Sequence, residues 1–580
     1  MNPATQLELG ISSPQKAAAK GGGGGGGRAA KTKGSARAEK PAGDKAATRK
    51  PRAGGARKRG DDAPRATATT MAAQQREISV SEFFTKNRHL LGFDSPTKAL
   101  LTTIKEAVDN SLDACEEAGI LPELLVEIRP VSENRYRVVV EDNGPGIVKA
   151  QVPRIFGKLL YGSKFHRLRQ SRGQQGIGIS AAGMYGQLTT GKPVVIESRI
   201  DGRSPAHRFE LVIDTLKNEP VVKKDTEKDW GPKEHGTRVE IELEGVYKGG
   251  RHGTEEYLRQ TVLANPHVRL RYVDPKGAEM ILERATDTLP EEALEIQPHP
   301  YGVELGMLLR MALDSKSRQL KAFFQHEFSR VGPKMAETLV EGAGLSPETS
   351  PKRLTTETAE RLLASIRRTK IPAPPTNCLS PIGAERLEAS LTEQMNADFV
   401  TAVTRTPSVY RGNPFQVEVG LAYGGKLPAE ELCSLHRFAN RVPLQYQQGA
   451  CAITKAVLQT NWRSYGLQQS RGALPAAPMV LLVHVASVWV PFTSESKEAV
   501  ASYDEILKEL KLALQDAGRK LGRYIRRGQR ERDAARKRAY IEKYIPHIGI
   551  ALREILDLET AEEKRIVETL TDTLERSRKM

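Results

Sequence analysis

One segment constrains the fold of this chain more than any other, the amphipathic run at residues 97–118. Its apolar residues recur every three or four positions, the period of an α-helix, and Gly119 follows it. Glu106, Asn110 and Asp113 stand four and three residues apart, so they share a polar stripe on that helix. A carboxylate and an amide so placed could activate a water and bind a magnesium ion, although such stripes are more often plain solvated surface.

Short β-rich runs follow this helix and predict a sheet. Residues 124–128 and 136–140 are predicted to be adjacent strands, and a helix of small residues is predicted at about 179–187. Three later runs predict further strands of the same sheet: 194–198, 209–213 and 237–243. The first globular unit therefore mixes helices with strands.

A glycine-containing turn directly follows the second predicted strand. Asp142 precedes Gly144 and Gly146 in the segment 141–147, EDNGPGI. Glycines there let the backbone turn sharply or approach a flat ligand, and the carboxylate could accept a hydrogen bond from an exocyclic amine such as that of adenine. An ordinary Asx turn is the alternative.

A second glycine-rich segment, 172–178 (RGQQGIG), opens the small-residue helix, where backbone N–H groups could bind phosphate. It has neither the order of a dinucleotide-binding motif nor the ending of a P-loop, so a flexible turn explains it equally well by itself. The preceding residues, 151–172, contain no acid but six bases, whose repulsion a strongly anionic ligand would offset. These bases are Arg154, Lys158, Lys164, Arg167, Arg169 and Arg172.

The remaining chain predicts two further folded regions. Leu, Met, Ala and Glu at helical spacing over residues 300–370 predict a small all-helical module, and the Pro-rich segment 371–375 predicts a stiff linker. Strand-like runs at 415–422 and 480–490 bracket a helix predicted from about 428 to 440, which favours an α/β unit. From residue 497 onward the pattern predicts a long amphipathic helix.

Charge is concentrated at the start of the chain. Of the formal charge of +17 over 580 residues, residues 1–76 carry 16 Lys and Arg against 5 acids. This Gly-, Ala- and Lys-rich leader has no apolar periodicity and is predicted to be disordered. A nucleic-acid-binding arm and a solubilising leader explain it equally well.

Other features exclude several classes of protein. The chain has no apolar stretch of about 18 residues, so we expect a soluble intracellular protein that does not enter membranes. Its scattered cysteines lack metal-ligand spacing and are interpreted as buried thiols: Cys115, Cys378, Cys433 and Cys451.

The order of these motifs resembles the GHKL ATPases, whose nucleotide-binding domain is the Bergerat fold, and within them the B subunits of topoisomerase VI. The resemblance covers roughly residues 77–525. It rests on five segments: 105–114 (KEAVDNSLDA), 141–147, 172–178, 410–415 (YRGNPF) and 491–497 (PFTSESK).

The resemblance implies a role for each motif in binding ATP and Mg²⁺. Glu106 is similar to the general base, Asn110 to the magnesium ligand and Asp142 to the adenine-binding carboxylate, which Thr237 supports. Lys455 is similar to a lysine that reaches the γ-phosphate, although taken alone it suggests only a surface lysine. The glycine motifs and their neighbours complete the expected ATP site: Gly144, Gly146, Lys164, Gly173, Gln174, Gln175, Gly176, Ile177 and Gly178.

The resemblance also implies a multidomain α+β architecture. We expect the disordered leader at 1–76, an α/β-sandwich GHKL ATPase domain with an N-terminal strap at 77–296, a helix-two-turn-helix module at 297–378, a transducer at 379–515 and C-terminal helices at 516–580. Arg330 and Lys334 in the helical module could contact DNA phosphates.

The same resemblance predicts the partners. An ATP-hydrolysing topoisomerase subunit would dimerise on ATP, pass one DNA duplex through another, and leave strand cleavage to an A subunit in a heterotetramer of two A and two B chains. Its place would be the cytoplasm, on chromosomes, or the nucleus of a eukaryote. The alternatives are a MutL-like repair ATPase, a histidine kinase and a non-enzymatic basic DNA-architectural protein.

Overall fold

The computed structural model describes residues 68–73, 75, 78–163, 167–173, 176–250, 252–429, 431–494 and 496–576. The chain divides into two units after Gln75. In the first unit the described residues form one short helix without buried residues, α1 (Ala68–Ala73). The rest of the leader that was predicted to be disordered, residues 1–67, 74 and 76, lies outside the described residues.

The second unit begins with an α/β sandwich, which confirms the predicted mixture of helices and strands. Its described elements are α2 (Val80–Lys86), α3 (Pro96–Glu117), β1 (Glu123–Ser132), β2 (Arg135–Asp142), α4 (Val152–Gly157), α5 (Gly178–Thr190), β3 (Val194–Arg199), β4 (Ala206–Asp214), β5 (Glu219–Lys228), β6 (Gly236–Glu244), α6 (Thr254–Ala264), β7 (Arg269–Val273) and β8 (Glu279–Leu282).

The sheet has the order β5-β4-β3-β6-β2-β1-β7-β8, in which only the neighbours β1 and β7, among these described strands, run parallel. Helices α3 and α5 pack together on one face, over β2 and β6, and enclose a single apolar core. Helix α3 begins where Ser95 Oγ accepts the Lys98 N–H at 3.4 Å and Pro96 takes the first turn. It ends just before Gly119, which has a φ of +69°.

A helical module with its own core follows, as predicted. It consists of α7 (Leu305–Asp314), α8 (Leu320–Glu327), α9 (Pro333–Glu341) and α10 (Thr356–Arg368). Phe323, Phe324 and Phe328 are buried at its centre with ring centroids 5.2 to 5.6 Å apart. The limits predicted for the module, 297 and 378, stay predictions.

The third folded region is a second α/β domain that continues into C-terminal helices. Its described elements are α11 (Ala384–Gln394), β9 (Phe399–Thr404), β10 (Ser408–Tyr410), β11 (Asn413–Tyr423), β12 (Ser434–Ala439), β13 (Val442–Pro443), α12 (Ala452–Gln459), β14 (Gln468–Gln469), β15 (Pro475–Ala476), β16 (Met479–Ser487), α13 (Asp504–Leu556) and α14 (Thr560–Arg576).

The main sheet of this domain has the order β10-β11-β16-β12-β13, and β9 also pairs with β11. Every residue of β16 is buried, because α12 and α13 cover one face of the sheet while α11 and α6 cover the other. Helix α6 belongs to the first domain, so the apolar core on the α11 side of this sheet is formed by both domains.

The prediction of a helix over residues 428–440 is wrong. Residues Ser434–Ala439 form the strand β12, parallel to β16 and antiparallel to β13. Asn440 and Arg441 connect β12 to β13 with φ values of +48° and +65°, which is the conformation of a tight hairpin turn. Pairing with a buried neighbouring strand therefore outweighs the helix-start signal of Pro428.

The predicted limit between transducer and C-terminal helices, at 515/516, falls inside α13. Leu510, Leu514 and Leu521 of this helix are buried against the second domain, and the helix continues without a break to Leu556. The four cysteines are buried free thiols, as predicted. None of the helices in the described residues combines the length and apolar character needed to cross a membrane.

Candidate active site

A cavity of about 620 Å³ lies between the two α/β domains. Its walls are α3, the turn after β2, the segment before α5, strand β6, helix α6 and two loops of the second domain. Nine of the predicted site residues line it: Glu106, Asn110, Asp142, Gly146, Gly173, Gly176, Ile177, Gly178 and Thr237.

Helix α3 places Glu106 and Asn110 on its cavity side, one turn apart, because Ile104, Val108 and Leu112 are buried in the core. Among the described residues, no hydrogen bond or ion pair engages the Glu106 carboxylate. Asp113, the third residue of the predicted stripe, does not line the cavity. Its Oδ1 instead accepts a hydrogen bond from Arg172 at 2.8 Å.

Asp142 stands at the end of β2 in a set of hydrogen-bond donors. Its Oδ2 accepts the Ser111 hydroxyl at 2.7 Å, and its Oδ1 accepts the backbone N–H groups of Gly144 and Thr237 at 3.0 and 3.1 Å. Burial raises the pKa of Asp142 while these three donors oppose the rise. Gly144, which does not line the cavity itself, therefore orients the carboxylate through its N–H.

Two glycines permit close approaches at the cavity. Gly146 has a φ of +71°, and a Cβ there would overlap the carbonyl of Arg199. A Cβ on Gly178, the first residue of α5, would overlap the Glu106 carboxylate. The glycine-rich segment thus puts the N-terminus of α5 directly against Glu106. Lys164, Gln174 and Gln175 lie outside the described residues, so their predicted roles stay predictions.

The structure contradicts the predicted position of Lys455. This lysine lies on α12, outside the cavity, where its Nζ donates a hydrogen bond to Ser502 Oγ at 2.9 Å. Lys497, in the loop between β16 and α13, lines the cavity instead. Burial lowers the pKa of Lys497, Glu106 counteracts this effect, and Lys105 adds to it.

Lys497 lines the cavity but is not among the site residues predicted from the sequence. The segment 491–497 was recognised as part of the family resemblance, but nothing in its residues indicated which lysine of the second domain faces the first. The available signal was position: Lys497 follows a buried strand and precedes a long helix, so it lies in a loop at the end of the sheet. Lys98, Lys105 and Tyr446 also line the cavity without having been predicted.

A buried charge cluster connects the cavity to the second domain. The carboxylate of Glu116, near the end of α3, accepts three hydrogen bonds. The donors are Arg172 at 2.6 Å, His267 at 2.8 Å and Arg441 at 3.3 Å. Arg172 directly precedes Gly173 of the glycine-rich segment, and Arg441 belongs to the β12–β13 turn. Burial raises the pKa of Glu116, but the charges of Arg172 and Arg441 and the hydrogen bond from His267 outweigh burial and hold the pKa well below its usual range.

Arg330 and Lys334 are exposed and flank the start of α9 in the helical module, away from the cavity lining. Arg330 has a φ of +62° in the turn that precedes the helix. Their predicted contact with DNA stays a prediction.

Two family models match the chain. Residues 96–244 match the histidine kinase-, DNA gyrase B- and HSP90-like ATPases, and residues 374–537 match the transducer of the topoisomerase VI B subunit. The B subunit of type 2 DNA topoisomerase 6 from Methanosarcina barkeri is 48% identical over 508 residues, which are 87% of this chain and 82% of the relative. The chain belongs to the topoisomerase VI B subunit family.

Other topoisomerase VI B subunits give the same result. The protein of Methanococcoides burtonii is 51% identical over 84% of this chain and 79% of its own length, and that of Archaeoglobus fulgidus is 48% identical over 86% and 82%. The first domain is thus the GHKL ATPase domain of the family, and the second is its transducer. This membership decides against the MutL-like, histidine kinase and architectural alternatives.

Proposed function

We propose that this chain is the ATP-binding and ATP-hydrolysing B subunit of a type IIB DNA topoisomerase, which relaxes and decatenates duplex DNA by ATP-gated strand passage. The observation that carries the proposal is the shared cavity. Glu106 and Asp142 of the ATPase domain and Lys497 of the transducer line the same space. A ligand in this cavity therefore contacts both domains, and its release removes contacts from both.

The residues at Asp142 fit an adenine base. The carboxylate has about four lone-pair sites and accepts three hydrogen bonds from Ser111, Gly144 and Thr237, which leaves it one further acceptor position. These donors fix its orientation before a ligand enters. In our proposal Asp142 accepts the exocyclic amine of adenine, and Gly146 keeps the adjoining backbone clear of the base.

The other end of the cavity fits a triphosphate with Mg²⁺. The amide oxygen of Asn110 is a hard ligand, and a magnesium ion normally takes one or two protein oxygens while phosphates and waters supply the rest. Gly176 and Gly178 present backbone at the start of α5, and Lys497 adds a cation. When bound, the ion neutralises charge that develops on the phosphates. Glu106, which no side chain of the described residues engages, takes a proton from the attacking water.

The transducer would convert phosphate release into movement. Lys497 would gain the terminal phosphate as an anionic partner when ATP binds and would lose it on phosphate release. That loss would weaken the hold of the transducer loop on the ATPase domain. The proposal also includes ATP-driven dimerisation of two B chains through the strap at residues 77–95 and a heterotetramer with two A subunits. It further includes DNA contacts of Arg330 and Lys334 and a location on chromosomes. Family membership supports an A subunit and DNA as partners.

The decisive experiment compares wild type with Glu106→Ala in magnesium-dependent ATP binding and hydrolysis, with and without duplex DNA and an A subunit. Retained binding with turnover reduced at least about 100-fold is expected, because only the proton acceptor is removed. Glu117→Ala, an exposed change on the same helix, is the matched control and should leave turnover unchanged. Absence of ATP binding and turnover in the wild type would overturn the proposal.

A further inference from the structure

The loop that carries Lys497 is closed on its own domain. The backbone N–H of Thr493 donates to the carbonyl of Ala499 at 2.9 Å, and Phe492 and Val500 form an antiparallel bridge beneath it. Lys497 itself has a φ of +53°, which is the left-handed region, and its N–H donates to the Ser494 carbonyl at 3.1 Å. The turn therefore fixes where residues 497 and 498 point, relative to the transducer.

Glu498, the next residue, joins this loop to the first turn of α3. Its Oε1 lies 3.1 Å from Lys98 Nζ, and its Oε2 accepts the Gln447 amide at 2.6 Å. The Glu498 side chain is 9% exposed and that of Lys98 is 26% exposed, so the pair is largely shielded from water. Lys98 also lies 4.9 Å from the centroid of the Tyr446 ring and 3.3 Å from Asp94.

The pair has an electrostatic reason to exist. Lys98, Lys105 and Lys497 all line one cavity, and the Lys105 ammonium disfavours the charged form of Lys497. Without an anionic ligand, the repulsion among these three ammonium groups opposes the attraction of Lys497 to Glu106 and weakens the hold of the transducer loop on α3. Glu498 neutralises one of the three and converts that repulsion into an attachment across the domain boundary.

We propose that Glu498 and Lys98 form a latch that holds Lys497 at the phosphate end of the cavity before nucleotide binds. Glu498 also lines the cavity, and in this proposal it is a positioning residue, which acts through Lys497. The inference rests on the proposed function, because it assigns to Lys497 the terminal phosphate of ATP. Because the latch holds Lys497 in place before ATP binds, less conformational entropy is lost when Lys497 contacts the phosphate.

The test is an epistasis measurement on the full-length chain with its A subunit and duplex DNA. ATP turnover is measured for wild type, Glu498→Gln, Lys497→Ala and the double variant, with Lys98→Met as an independent way to open the latch. Glu498→Gln keeps the shape of the side chain and an acceptor for Gln447. We expect Glu498→Gln and Lys98→Met each to lower kcat about tenfold, with a smaller effect on KM.

In the Lys497→Ala background, Glu498→Gln should cause no further loss, because the latch has nothing left to position. Unchanged kcat in both latch variants would overturn the inference. So would a full additional loss in the Lys497→Ala background, since that result indicates a role independent of Lys497. Either result, with wild-type turnover intact and Glu106→Ala inactive, leaves the proposed function standing.

Discussion

The position of the Glu106 carboxylate depends on a side chain that is absent. Gly178 lies so close to Glu106 that a Cβ would overlap the carboxylate. We therefore expect Gly178→Ala to displace Glu106 and to lower ATP turnover about 100-fold, although alanine is the better helix former. Stopped-flow or steady-state phosphate release measures this loss.

Gly306→Ala is the matched control for this change. Gly306 also lies in the first turn of a helix, α7, but a Cβ there meets open space. This variant should keep full turnover. Equal activity of Gly178→Ala and Gly306→Ala would show that Glu106 is not confined by α5.

At the same scale, the predictability of single residues from sequence depended on their spacing. Glu106, Asn110, Asp142 and Gly178 lie in short motifs whose order along the chain carries the information. Lys455 was misassigned because a lysine next to a helix start has no neighbours that reveal which domain it faces. Lys497 reaches the cavity through the packing of two domains, which no local pattern encodes.

Among the elements, α3 and β16 were predictable because their burial leaves a plain pattern. Helix α3 has one apolar face, and β16 is an unbroken apolar run covered on both sides. The charged strand β5 was not predicted, since its residues are mostly exposed at the edge of the sheet and show no alternation. The prediction of a helix at 428–440 was wrong because strand pairing with β16 outweighs the local helix propensity of these residues.

Helix α13 offers a test of packing between elements. A Cβ on Gly518 would overlap the ring of Tyr465, whereas a Cβ on Gly528 meets open space. We expect Gly518→Ala to lower the free energy of unfolding by about 1 to 3 kcal/mol through overpacking. Gly528→Ala should raise it by up to about 1 kcal/mol, because alanine favours the helix. Urea unfolding of the two variants measures both changes, and equal stabilities would refute the close contact.

The Glu116 cluster predicts a pH dependence. Because the pKa of Glu116 is lowered in the fold, its contribution to stability is present above its ordinary pKa and is lost as the pH falls below about 4.5. Glu116→Gln removes the carboxylate that Arg172 and Arg441 share, so that Arg172 keeps only its ion pair with Asp113 among the described residues. The change should cost about 3 to 5 kcal/mol at pH 7.

Urea midpoints at pH 7 and pH 4 measure this difference. The gap between wild type and Glu116→Gln should be wide at pH 7 and should narrow at pH 4. Glu117→Gln, whose carboxylate is an exposed partner of Arg169, should differ from wild type by less than about 1 kcal/mol at both values. A gap that is independent of pH would contradict the assignment.

For the whole molecule, the basic leader and the folded body are predicted to act separately. Deletion of residues 1–76 removes a net charge of +11, from 16 basic and 5 acidic residues, and none of the residues that line the cavity. We expect the truncated chain to keep its ATP turnover. Its affinity for duplex DNA should fall and become less dependent on salt, because fewer phosphates are neutralised.

Binding isotherms at several salt concentrations, with turnover measured in parallel, check this expectation. Loss of turnover on truncation would place an essential part of the ATPase before residue 77. An unchanged salt dependence would instead support the solubilising role of the leader.

On the scale of the molecule, helix α13 has the length that a lever would need. It has 53 residues and is therefore about 80 Å long. Its first part is packed on the transducer, and most residues after Ile525 are exposed. If the helix moved as a rigid rod, a rotation of only about 10° at the packed end would carry the far end through roughly 14 Å. A movement of a few ångströms at the phosphate end of the cavity would then become, at the far end of α13, a displacement about as large as the width of a DNA groove.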